Sequence, residues 1–167
     1  MVPQLQYNYQ LSVSPHPTRS NQSSSQEQKE LAKLLGIDIS ADTFDVAAAR
    51  LLDAVAIAIG HEPPKNASEG QIAFATSLGQ DVSTNTKRVA SAKICEALFL
   101  NNQDAIAALN LKPGDRVIKI SRFELNGEIQ TFEREFVISS IQPNGRVFFK
   151  GGNGQGAWPT QLKKYAG

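Results

Sequence analysis

Two periods of hydrophobic patterning divide this chain near Lys112. Before that point apolar residues recur at helical spacing; after it they alternate. Short helices are predicted over Lys29–Leu35 and Ile72–Leu78, each followed by a glycine suited to end it, Gly36 and Gly79. A short extended link comes next in both places, Asp38-Ile39-Ser40 and Asp81-Val82-Ser83, with one apolar side chain to turn inward. A second helix then opens at an N-cap pair, Asp42 and Asn85. Its buried face runs through Phe44, Ala47, Leu51 and Val55 in one case and Ala90, Ile94 and Leu98 in the other. Gly60 and Pro63-Pro64 separate the two, and a short alanine-rich helix is expected over Asp104–Leu109.

These parallels are an internal repeat. Shifted by 43 positions, Gln28–Val55 falls on Gln71–Leu98 without a gap, and eleven of the 28 positions are identical. Leu35-Gly36, Asp38 and Ser40 recur as Leu78-Gly79, Asp81 and Ser83. Such periodic self-similarity points to a tandem duplication, with copies over residues 28–62 and 70–101.

Beyond Lys112-Pro113-Gly114-Asp115, strands are predicted over Arg116–Phe123, Thr131–Ile141 and Arg146–Lys150. The turns between them lie at Asn126-Gly127 and Pro143-Asn144-Gly145. Closely spaced strands with short turns predict a small antiparallel barrel over residues 111–167. Residues 1–27, rich in Gln, Ser, Asn and Pro, cannot bury enough apolar surface to offset their ordering entropy and predict a disordered polar tail. The fold class expected is therefore α+β: tail, helical repeat domain over 28–110, then barrel.

Two family resemblances accompany this reading. The opening Leu111-Lys112-Pro113-Gly114-Asp115-Arg116-Val117 and the ending Gly156-Ala157-Trp158-Pro159 resemble the first strand and last step of Src-homology-3-like barrels. The helix–extended-loop–helix layout, with its glycine and basic residues, is similar to SAP-like modules, which implies that the start of the second helix lies near DNA. The acidic, tyrosine-rich start of the proline-peptide binders is absent here.

Charge sharpens the picture. Net charge is +1, but residues 111–167 hold nine Lys/Arg against five Asp/Glu, whereas the two preceding parts are slightly acidic. A polyanion should meet the C-terminal part first. Within the repeat, Phe44-Asp45 becomes Lys87-Arg88 and Arg50 becomes Lys93. Cations oppose the positive end of a helix dipole, yet they suit a phosphate contact there. In the third predicted strand Arg146, Phe148 and Lys150 share one face while Val147 and Phe149 take the other. A ring between two cations is the chemistry that stacks bases and holds phosphates. Lys119, Arg122 and Trp158 are candidates to extend that patch.

Nothing points to catalysis. One cysteine, Cys95, and two histidines leave no triad and no metal cluster. Gly152-x-Gly154-x-Gly156 follows a strand but precedes Trp-Pro rather than a helix, unlike a dinucleotide loop. Glu133 and Glu135 alternate on one strand face. No apolar run reaches the roughly 20 residues of a membrane span, and no leader is visible. The expectation is a cytoplasmic, non-catalytic nucleic-acid-binding protein, DNA favoured, with no cofactor, metal or membrane contact. The alternative is a protein-interaction adaptor or regulatory scaffold built on the same aromatic residues.

Overall fold

A computed structural model describes residues 21–167. Four helices, α1 (Gln26–Leu35), α2 (Phe44–Ala58), α3 (Glu69–Ser77) and α4 (Lys87–Leu109), precede five strands. The strands are β1 (Arg116–Leu125), β2 (Glu128–Ile141), β3 (Val147–Phe149), β4 (Gly156–Ala157) and β5 (Leu162–Lys164), with a 3-10 turn at Pro159–Gln161 before the last. The expected tail lies outside the described residues as far as position 20. Its last part is corrected: Ser24 is buried, Ser23 bridges Thr43, and Ser25 caps α1. The polar residues there serve backbone groups at a helix start, so their polarity does not mean disorder. Contacts divide the chain into two compact units at Leu100/Asn101.

The first unit shows why its sequence repeats. Ser25 and Ser68 each accept from the backbone of the residue three ahead, Gln28 and Gln71, whose side chains accept in return: a capping box at both helix starts. Ser-x-x-Gln is the sequence signal for these starts, which lie three residues earlier than apolar periodicity alone suggests. Gly36 and Gly79 have φ of +67° and +76°, the left-handed geometry a helix end needs. Asp38 and Asp81 then accept from the N–H of Ser40 and Ser83 at 2.8 and 2.9 Å, which holds both carboxyls below their usual value. Ile39 and Val82 turn into two separate small cores, with Ala32, Ala47 and Leu51 in one and Phe74, Ala75, Ala90 and Ile94 in the other. The cap of α2 is Thr43, one residue beyond the expected Asp42. Asp42 instead pairs with Arg50 at 2.6 Å.

The second unit holds the end of α4 and the sheet. α4 is continuous from Lys87, so the expected short helix Asp104–Leu109 is its last two turns, and Ile106 and Leu109 pack on the sheet core. That core consists of Leu111, Val117, Ile138, Val147, Phe149, Ala157 and Leu162. All pairs are antiparallel, in the order β4-β3-β2-β1-β5. The expectation of a barrel is corrected here: the sheet is open. Its edges, β4 and β5, have two and three residues and do not pair with each other. Such short edges offer too few N–H and C=O groups for a closing ladder. A register shift between Ile138 and Ser140 bends β2, so that its first part pairs with β1 and its last part with β3. Beyond Lys119 and before Ile138, β1 and β2 run on as a two-stranded ribbon, paired among the described residues only with each other.

Candidate nucleic-acid interface

Strand alternation puts Val147 and Phe149 in the core and leaves Arg146 and Phe148 on the opposite side, half-buried. The chain then returns through β4, where Gly156 pairs with Phe148. A side chain at Gly156 would strike the Val147 carbonyl oxygen and crowd the Phe148 ring. Glycine here lets the two strands close, and the next turn carries Trp158 to Arg146. The Arg146 guanidinium lies 5.8 Å from the Phe148 ring centroid and 5.3 Å from that of Trp158. Cation–ring attraction at these distances holds the guanidinium against two half-buried rings. The Lys119 ammonium donates to the Gly156 carbonyl at 3.3 Å, but by register Lys119 stands on the core face of β1 and not on the face of Phe148. Lys150 is exposed just past β3, its N–H donating to Val137.

Arg122 does not join this group by register. It shares the outward side, beside Glu124 and Glu133, but its partner Thr131 is nine residues along β2 from Ser140, the partner of Phe148. Two cations unmarked in the sequence reading cover rings instead: Arg134 over Phe136 at 5.2 Å and Arg116 over Tyr165 at 4.2 Å. Alternation could have flagged Arg134, since it shares the β2 face of Phe132 and Phe136. Glu133 and Glu135 are held by Lys163 and Arg116 in ion pairs. The glycine-rich loop Gly152–Gly156 leads into a 3-10 turn of three residues.

In the first unit the marked cations have different surroundings. Lys87 is exposed at the start of α4, and its N–H donates to the Lys65 carbonyl at 2.8 Å. Lys65 and Lys87 therefore flank one groove, together with Arg88 and Asp53. Lys65 lies outside both copies of the repeat as bounded in the sequence, and its place follows from the neighbouring bridge of Asn66 to Thr86. The Arg88 guanidinium donates to Asp53 at 3.0 Å, and the Thr86 hydroxyl donates to the same carboxylate. Asp53 is 7 % exposed, and a carboxylate so buried requires partners of this kind. Arg88 is thus neutralised within the chain. Lys93 is half-buried in a second groove with Asp42, Arg50 and Glu96. Burial raises the Glu96 carboxyl above its ordinary value, with Asp42 and Asp45 adding to it, while the Thr43 hydroxyl, donating at 2.9 Å, acts against it.

Burial also pushes the Cys95 thiol up to about 11, the opposite of what a nucleophile needs. Among the described residues no group of His, Cys, Asp and Glu is placed to hold a metal ion, and no helix is long and apolar enough to cross a membrane. Comparison of the chain with protein-family models, with curated proteins and with solved structures finds no match in any of the three.

Proposed function

We propose that this protein binds nucleic acid without catalysis, with single-stranded DNA as the favoured ligand. The observation that carries the reading is the Arg146 guanidinium set against Phe148 and Trp158 on one outward sheet face. Half-exposed rings stack bases, and the guanidinium and the flanking Lys150 meet phosphates, a combination suited to single strands. Lys119 lends support through Gly156. Lys87 and Lys65 form a second, weaker phosphate contact, and Arg88 acts structurally through Asp53. A net charge of +1 implies modest, salt-sensitive affinity.

Trp158 is the only tryptophan, so its fluorescence reports on the site directly. Titration with a single-stranded oligonucleotide at low salt should quench it, and Arg146→Glu should weaken binding at least several-fold. An unchanged signal up to about 100 μM, the weak end of non-specific affinities, would end the proposal.

At the level of fold, the reading includes a duplicated helix–extended-link–helix unit and a Src-homology-3-like arrangement of the sheet. The first is supported by pairs of bonds 43 residues apart. Thr43 donates to Glu96 as Thr86 donates to Asp53, and Val46 and Ala49 pack with Val89 and Ala92. Each copy gives the other the same surface, as in an isologous dimer. The second is supported by the strand order and the 3-10 turn before β5, in a sheet that remains open.

A further inference from the structure

Among the described residues, the ribbon formed by β1 and β2 beyond the core has an apolar face that nothing covers. Ladder pairing sets Lys119 opposite Arg134, Ser121 opposite Phe132, Phe123 opposite Gln130 and Leu125 opposite Glu128, all on one face. Phe123, Leu125 and Phe132 are 51, 56 and 57 % exposed. This is the same face that, nearer the core, carries Val117 and Phe136, so the core side of the sheet continues into solvent. Among the described residues no strand pairs with either backbone edge along this stretch. Patches of this kind mark an interaction site.

We infer that this face pairs with the same face of a second copy of the chain, the two ribbons antiparallel about a two-fold axis. Charge placement selects that occupant. On the opposite face Glu133 and Glu135 are neutralised by Lys163 and Arg116. On the apolar face Arg134 stands at the base and Glu128 at the tip, and neither has an ion-pair partner among the described residues. A two-fold through the rung formed by Arg122 and Thr131 lays β2 of one copy antiparallel on β2 of the other. Position 134 then faces position 128 of the second copy twice over, and the rungs of Phe132 and Phe123 interleave between them. The four rungs span about 20 Å at roughly 3.4 Å per residue, the scale of a small face-to-face sheet contact. On this face Lys119 is engaged by the Gly156 carbonyl, which leaves one cation, Arg134, and one acid, Glu128, the self-complementary set that a second copy supplies.

The test is sedimentation of the full chain, free of nucleic acid, across a concentration series reaching about 1 mM, because so small an interface gives a weak dimer. A monomer–dimer equilibrium is expected. Phe132→Asp should abolish it and Arg134→Glu should weaken it at least tenfold, while Arg134→Glu with Glu128→Arg should restore it. All three positions are exposed, so circular dichroism should show an unchanged fold. A wild type that stays monomeric throughout overturns the inference and leaves the face to another protein. A dimer indifferent to Phe132→Asp, or one the charge exchange does not restore, overturns it equally.

Discussion

Gln71 should be costlier to lose than Gln28, its counterpart in the first copy. It is 5 % exposed and sits at the third position of α3. Its Oε1 accepts from the Ser68 N–H at 3.0 Å, and its Nε2 donates to the Lys87 carbonyl and the Ser91 hydroxyl, both at 3.0 Å. It therefore caps one helix and ties that helix to the start of α4. Gln28 does the same for α1 and α2 with two bonds, to Ser25 and Phe44, and is only half-buried. The difference has a sequence cause: the position of Ser91 is occupied by Ala48 in the first copy, which offers no hydroxyl. At about 1 kcal/mol per net hydrogen bond, Gln71→Ala should cost roughly 2–3 kcal/mol and Gln28→Ala roughly 1–2 kcal/mol. A gap of about 1 kcal/mol corresponds to roughly 4–8 °C in a unit of this size, which melting followed by circular dichroism resolves. Gln71→Glu keeps the cap but replaces two donations by a carboxylate against a carbonyl, so it should melt at least as low as Gln71→Ala and recover toward acid pH. Equal losses at the two glutamines, or a Gln71→Glu protein as stable as wild type, would refute this account of how the helices are joined.

Gly156→Ala should cost about 1–3 kcal/mol, as overpacking does, and should shift Trp158 emission, because the Val147 carbonyl must move with β3. The Glu96 carboxyl binds its proton more tightly folded than unfolded, so its contribution to stability is greatest in acid and declines as pH rises through the ordinary carboxylate range. Glu96→Gln, which keeps an oxygen for Thr43, should remove that decline; melting both proteins from about pH 3.5 to pH 7 should show the variant gaining on wild type, and the reverse trend would sink the argument. With its thiol raised to about 11, Cys95 should be alkylated far more slowly in the folded protein than after denaturation at the same pH, and equal rates would contradict its burial.

Local chemistry was the legible part. Gly36 and Gly79 announce left-handed helix ends because only glycine takes φ near +70° freely; the links after them read as extended, whereas Asp38 and Asp81 turn them by accepting from Ser40 and Ser83. The 43-residue period and the change of pattern near Lys112 separate helices from strands. Alternation also put Phe148 with Arg146, and Trp158, a candidate in the sequence to extend that patch, lies against the same guanidinium. The capping boxes were available as Ser-x-x-Gln but concealed, since their signal is polar and lies outside the apolar period.

What the sequence by itself determined, then, is whatever depends on a residue and its near neighbours: helix ends, turns, the face each strand side chain takes, and the likeness of the two helical units. Tertiary structure alone decided the rest. Arg88 and Asp53 are 35 residues apart, and nothing in either neighbourhood says that a buried carboxylate will claim a cation that looked free for phosphate. Phe123 and Phe132 look like core residues by period, yet they lie past the last strand that could cover them and remain exposed. Whether the sheet closes rests on how many residues β4 and β5 commit to pairing, two and three here. Period reports which way a side chain points, whereas burial, pairing and closure depend on what the distant chain brings against it.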